Sequence, residues 1–413
     1  MTRSAPEPTT APTGRDGFLH TSLPLGLAQT IFWASTFYLL PALILSIEAE
    51  SGWSKAMISA AMTGAILMSA LCARTAGRLI DAGMGRVMMS TAAVCSAVFL
   101  ITASLATSYW QFVICWLLIG VCMAGFLYEP CFSILTHHCG AQAKRKITQV
   151  ALIAGFASTV GFPLANAVAA SFDWRATFQV FAISIVVAGL PLAVYGIGQL
   201  PAFEHHPDGT QNAISANGKN GRRRLYFWLI ALAFTLGSVA HIMVIAQLMP
   251  LLAERGTAIQ TAVFAAMVVG PAQVVGRIFF AANERYIGPA AGAIICLAGL
   301  SAAIVLLNLS GTLLWLIVLS MTLQGASWGL VSIIRPTLTR EVLGQNGFGA
   351  TSGAIAAIAT LGVALAPALG AWLGETFGYQ VMLLAGTLFS LLGCGMLIAL
   401  IVLTRGAASE QAA

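Results

Sequence analysis

Four ionisable side chains stand inside stretches that are otherwise apolar: Arg74, Glu129, Arg277 and Arg335. Each precedes polar residues by only a few positions, which at 1.5 Å per helical residue puts it about 8–12 Å inside the edge of an apolar layer. A charge at such depth costs about 2.5–3.5 kcal/mol even on the lenient insertion scale, so these groups are expected to face the protein interior rather than lipid. Arginine can also extend its long stem back to a polar surface, and for Arg74 and Arg335 that reading stays open. Glu129 is too short to reach as far. Glu129 and Arg335 are expected, directly or through Arg74, to form a gate made in one state and broken in another; Glu129 as a proton carrier is the alternative.

Aromatic, amide and imidazole groups accompany the charges: Gln29, Trp33, Phe37 and Tyr38 early in the chain, Phe126 and Tyr128 beside Glu129, then His241, Gln247, Gln324 and Trp328. Trp33 and Phe37 are four apart and share one helix face, as do Phe126 and Glu129 at three. Packing is the commoner use of such rings; combined with amides they can also form a stacking pocket for a planar solute. His241 reads first as an interior hydrogen-bonding group and second as a proton carrier.

The elements that must position these groups are helices. Hydrophobic residues make up 58% of 413 residues and charged residues 8%, far from the polar surface a soluble chain of this length needs. About 20 helical residues cross a bilayer core, and spans are expected near 19–47, 54–73, 87–107, 110–135, 147–171, 175–199, 225–252, 259–282, 287–308, 312–337, 348–373 and 379–404. The chain is also duplicated. Pro41 recurs as Pro250, Arg74 as Arg277, Glu129-Pro130 as Arg335-Pro336, and Phe172 through Arg175 as Phe377 through Gln380, at offsets between 203 and 209 residues. Many secondary transporters are built from such repeats, with a solute site near the midplane between them.

Basic residues crowd into alternate connections: Arg3, Arg15, Arg78, Arg86, Lys144-Arg145-Lys146, Arg222-Arg223-Arg224, Arg285, Arg340 and Arg405, against Lys55, Arg175 and Arg255 on the other side. Basic loops stay inside, so both termini and the central linker are expected to be cytoplasmic, with Trp53, Trp110, Trp174 and Trp372 near the outer boundary. The net charge of +6 is then topology and not a nucleic-acid surface. Residues 1–18 lack the pattern of a cleavable signal. Residues 200–224, with His205-His206 and a run of Asn, Ser and Gly, read as a solvated linker. Eight cysteines without a CxxC pair point to free thiols and to no metal site.

Between the second and third spans the chain reads Gly77-Arg78-Leu79-Ile80-Asp81-Ala82-Gly83-Met84-Gly85-Arg86. This resembles the cytoplasmic signature of the major facilitator superfamily, with Ala82 where a basic residue is usual and the last Gly-Arg one residue late. The resemblance implies an all-α membrane protein of 12 transmembrane helices in two pseudo-symmetric six-helix halves. Gly77, Asp81 and Arg86 would be the signature residues, Asp81 accepting hydrogen bonds from a neighbouring helix N-terminus to latch that side. Gly270-Pro271-Ala272-Gln273-Val274-Val275-Gly276-Arg277, together with Phe37 through Pro41 and Glu50 through Ser54, is similar to the monocarboxylate and oxalate/formate porter branch. There an arginine in span 8 binds the substrate carboxylate, a role that implies Arg277 here, with Gln273 in place of an acidic partner and Ala42 in place of a lysine. A guanidinium suits the task because it is a planar fork of donors and stays charged. Span 5 has Phe162 before Pro163 and Leu164-Ala165-Asn166 after it, and lacks the denser glycine pattern of the drug-exporting antiporters.

The expectation is therefore a secondary transporter, symporter or uniporter, moving a small organic solute across a bacterial inner membrane. The solute is expected to be a monocarboxylate-like anion; uptake of a riboflavin-like heteroaromatic and efflux of toxic compounds are the alternatives. An N-terminal tail at 1–18, a bundle at 19–199, a linker at 200–224, a bundle at 225–404 and a tail at 405–413 follow. Candidate solute contacts are Arg277, Gln273, Trp33, Phe37, Tyr38, Tyr128, His241, Gln247, Gln324 and Trp328. The partners are the solute, with a proton as candidate coupling ion, and the bilayer, around a monomer without cofactor or nucleic acid. No nucleophile-base pair, ATP-binding loop or selectivity filter stands out, so enzyme and channel readings are disfavoured. A cysteine placed at Ser215 should resist an impermeant thiol reagent in intact cells, and cysteines near Trp174 and Trp372 should react; the reverse pattern would overturn the orientation.

Overall fold

The computed structural model describes residues 17–139, 142–201, 221–283, 286–344 and 348–412. The N-terminal tail, His205-His206 and Ser215 of the linker, and Glu284-Arg285 lie outside the described residues. Among the described residues regular structure is helical throughout, and 12 helices are long and apolar enough to cross a membrane. They run Phe18–Ser51, Lys55–Asp81, Gly85–Ser104, Tyr109–Cys139, Arg145–Ser171 and Trp174–Gly198, then Gly221–Ala246, Ile259–Phe280, Pro289–Leu309, Leu314–Val331, Thr351–Phe377 and Tyr379–Thr404. These are spans 1 to 12. An even number of spans leaves both chain ends and the central connection at one end of the bundle, the terminus-bearing end; Gly52, Gly256 and Gly378 turn the chain at the far end with φ of 72°, 72° and 88°. Span 7 already begins at Gly221, so Arg222-Arg223-Arg224 open a helix.

Spans 1 and 4 and the end of span 7 are broken beside prolines, a covalent cause, whereas spans 8 and 10 run through Pro271 and Pro336 as continuous helices. Span 1 loosens at Phe37 and Tyr38. Pro41 follows, and a proline ring has no N–H for the carbonyl four residues earlier and collides with it. The repeat does the same: Pro250 sits in the short helix Leu248–Glu254 after a break at Gln247. In span 4 the helix stops at Phe126 and restarts at Tyr128, with Pro130 in the first turn of the restarted piece.

Within each half the helices approach to backbone contact where glycine removes the side chain. A Cβ on Gly120 of span 4 would lie 2.1 Å from the Ala65 carbonyl oxygen of span 2, and one on Gly276 of span 8 would lie 2.3 Å from the Ala326 oxygen of span 10. Both sites join equivalent helix pairs of the two halves. Lipid tails are as apolar as leucine, so close packing takes the place of the hydrophobic effect in holding membrane helices together. The outer surface exposes Leu71, Val187, Val275, Leu365 and Val402 among many aliphatic residues, as a lipid-facing surface requires. Trp110 and Trp372 are exposed near the far end, whereas Trp174 is 1% exposed and packs against Phe112 and Phe178. It is a core residue and not a boundary anchor, because Arg175 beside it turns back over its ring at 4.4 Å to reach the Ser104 and Ala106 carbonyls.

Replacing Gly120 or Gly276 by valine should overpack a backbone contact that cannot yield, at about 1–3 kcal/mol each. A lower melting temperature in detergent for both variants, with little change for Gly77→Val, where a Cβ meets open space, is the expected result.

Candidate functional site

The two halves meet along spans 2 and 11 and along spans 5 and 8. At the far end the seam is stitched by polar contacts: the Ala56 N–H donates to Glu375 Oε1 at 3.0 Å, Gln247 Nε2 donates to Ser59 Oγ at 3.0 Å, and the Ala368 N–H donates to Thr63 Oγ1 at 3.3 Å. Glu375 thereby places a carboxylate at the N-terminus of span 2, where the helix amides attract negative charge. Gln247 also donates to the Pro367 carbonyl at 3.3 Å, so its amide belongs to this seam. Nothing in the sequence singles out Glu375, whose partner is a backbone amide 319 positions away.

Spans 5 and 8 touch closer to the middle. Pro271 leaves the Met267 carbonyl without its helical donor, and Thr159 of the opposite half supplies one, Oγ1 to oxygen 2.9 Å. Gly270 allows this approach: a Cβ there would lie 2.5 Å from the Gly155 oxygen. A parallel arrangement holds inside the N-terminal half, where Pro130 frees the Phe126 carbonyl and the fully buried Gln29 of span 1 donates Nε2 to it at 2.8 Å. Gln29 is thus committed to a backbone repair.

Below the crossing lies Arg277. Its Nε donates to the Gly329 carbonyl of span 10 at 3.2 Å and its Nη1 to the Ala151 carbonyl of span 5, in the other half, at 3.0 Å. The phenols of Tyr128 and Tyr38 are close enough to interact electrostatically with the guanidinium, and the Gln273 amide faces the Tyr38 hydroxyl. Trp33 packs on Tyr128 with ring centres 4.7 Å apart and on Phe37 at 5.2 Å, while Tyr128 stacks on Phe132 at 5.1 Å. Arg277, Gln273, Tyr38, Tyr128, Trp33 and Phe37 therefore form one cluster at the junction of spans 1, 4 and 8. Phe132 and Phe162 join it, and neither belongs to the candidate contacts; the spacing of four between Tyr128 and Phe132 was a legible signal for the first.

The C-terminal half contributes a second group. The helix of span 10 continues to Leu343 and turns Gln324, Trp328 and Arg335 along one stripe, since spacings of four and seven return to the same helix face. His241 of span 7 lies flat on Trp328, centres 4.2 Å apart and planes 10° from parallel. Among the described residues neither amide atom of Gln324, which is fully buried, has a hydrogen-bond partner, nor has Nδ1 of His241.

Glu129 and Arg335 feel each other's charge, yet no ion pair within 4.0 Å joins them. Glu129 is exposed, in the first turn of the restarted helix of span 4, and Arg74 is exposed on the face of span 2 that carries Thr63 eleven residues earlier. That face looks across to span 11, where the halves part toward the terminus-bearing end. Asp81 pairs with His137 Nε2 at 3.0 Å at the end of span 4; the expected partner was a helix N-terminus. Gly77 and Arg86 flank this pair without entering it. All eight cysteines are free thiols.

A sequence profile described as the Major Facilitator Superfamily matches residues 25–356. Among solved structures, two of a bacterial homolog to the human lysosomal transporter Spinster share the fold. The inward-facing and occupied form aligns with TM-score 0.68 and 16% identity over 92% of this chain and 96% of the other. The inward-facing and unoccupied form aligns with TM-score 0.67 and 14% identity over 94% and 97%. No curated protein sequence matches the chain.

Proposed function

The chain belongs to the major facilitator superfamily, a family of secondary transporters of small solutes, and we propose that its solute is a small organic anion held by Arg277. The single observation that carries this reading is the guanidinium itself. Nε and Nη1 are anchored on two carbonyls, which leaves Nη2 without a hydrogen bond among the described residues on a guanidinium that the Tyr38 and Tyr128 phenols approach. A cation in an apolar interior is expensive without a counter-charge. Among the described residues Arg277 has no carboxylate partner. An anionic solute would supply one, with the Tyr38 and Tyr128 hydroxyls as further donors. This agrees with the resemblance to the monocarboxylate branch. Gln273 and Ala42 stand where that branch carries its acid and lysine, which favours anion binding without that pair as the coupling device.

Uptake of a neutral heteroaromatic is the second reading, favoured by the His241 and Trp328 stack and the unpartnered Gln324 amide. A bacterial cytoplasmic membrane is the proposed location, and the basic residues at the terminus-bearing end support cytoplasmic termini there. In that orientation the periplasmic side is sealed by Glu375, Gln247 and Thr63 while Glu129 and Arg335 stand apart, as an inward-facing transporter requires. Closing the cytoplasmic side would bring Glu129 to Arg335, with Arg74 across from span 11.

Arg277→Lys keeps the charge and loses the fork, and charged hydrogen bonds contribute about 1.5–3 kcal/mol each. Solute binding by calorimetry should weaken about tenfold or more and uptake into proteoliposomes should fall with it; unchanged affinity would favour the neutral reading. For the gate, Glu129→Gln should raise cytoplasmic accessibility of a cavity cysteine, and Glu129→Arg with Arg335→Glu should recover part of the lost transport. A swap no better than the worse single variant, with accessibility unchanged, would remove the gate.

A further inference from the structure

We infer that the anion is an aromatic carboxylate whose ring lies against Trp33 and Tyr128; the inference rests on Arg277 as the anion's ligand. Trp33, Tyr38 and Tyr128 lie on spans 1 and 4, and two of them interact electrostatically with the guanidinium, so the cluster faces the space between the halves and not lipid. All three are only partly buried, unlike the packing rings Phe32 and Phe126 beside them, which are fully buried. Each therefore keeps part of its surface uncovered, although Trp33 and Phe132 both lie against the Tyr128 ring.

The arrangement sets an anion ligand beside aromatic surface. The Tyr128 hydroxyl lies near the guanidinium while its ring reaches back to the indole of Trp33, 4.7 Å away at 40°. A carboxylate set directly on a ring has the same shape as a phenol with its oxygen at one end. With its oxygens on Arg277 and the two hydroxyls, its ring would lie along the uncovered part of the Trp33 indole and meet Tyr128 at the ring edge. Rings prefer offset or tilted contacts with other rings, a preference beyond area burial that an aliphatic chain cannot use. From the opposite half, the indole of Trp328 has one face covered by His241, and the unpartnered Gln324 amide lies one turn away.

The test uses the purified full-length protein and four probes: benzoate, cyclohexanecarboxylate, acetate and benzamide. Calorimetry is run on the wild type, Trp33→Leu, Trp33→Phe and Arg277→Lys. Benzoate is expected to bind about tenfold tighter than cyclohexanecarboxylate, which has the same carbon skeleton without a π-system. Trp33→Leu should bring that ratio to about one and Trp33→Phe should keep part of it, a change that general loss of fold would not produce. Equal binding of benzoate and cyclohexanecarboxylate by the wild type, or a ratio unmoved in Trp33→Leu, overturns the aromatic subsite while leaving Arg277 as an anion ligand. Benzamide binding as tightly as benzoate, with both indifferent to Arg277→Lys, overturns the anion reading itself and the arylcarboxylate with it.

Discussion

In lipid no water is available to a backbone carbonyl, so each one that a proline frees must find a donor inside the protein. The structure depends on how that constraint is met. Pro130 frees the Phe126 carbonyl, and Gln29 takes it, locking span 1 to span 4. Pro271 frees the Met267 carbonyl, and Thr159 takes it from the other half, tying span 5 to span 8. These two prolines, one beside the break in span 4 and one inside the continuous helix of span 8, thus create the acceptors that hold their helices to neighbours.

A second consequence is that the site is built from backbone as much as from side chains. Arg277 is oriented by the Gly329 and Ala151 carbonyls, one in each half. Because its Nη1 bridges the halves, any solute drawing on the same guanidinium acts on a group that also spans their interface. Glycines set the distances at which this works: Gly155 and Gly270 let spans 5 and 8 approach, and Gly276 with Gly329 brings span 8 against span 10. Rocking of one half on the other would then turn about the close crossing, with the Glu375 contact at one end and the separated Glu129 and Arg335 at the other.

The two halves repeat the architecture without repeating the chemistry. The N-terminal half offers rings, Trp33, Phe37, Tyr38 and Tyr128; the C-terminal half offers the cation and amides, Arg277, Gln273 and Gln324. Divergence at equivalent places, Glu129 against Arg335 and Ala42 against Leu251, is what a duplicated scaffold allows once close packing alone maintains the fold.

Apolar length, the recurrence of Pro41 as Pro250 and the placement of charges by themselves determined twelve helices, two halves and the candidate Arg277, because lipid solvation and helix geometry act on every residue locally. Periodicity also put Trp33 with Phe37 on a common face, whereas the same expectation for Phe126 and Glu129 fails because the helix breaks between them. What it could not reach were partners across the fold. That Gln29 and Gln247 serve backbone and seam, that Trp174 is core, that Asp81 meets His137, and that Ala151 presents its carbonyl to Arg277 depend on how helices far apart in the chain are placed side by side. A carbonyl acceptor has no side chain to announce it, and an amide reads the same whether it faces a solute or repairs a helix; only the tertiary structure, by setting the distance and direction to the donor, decided between them.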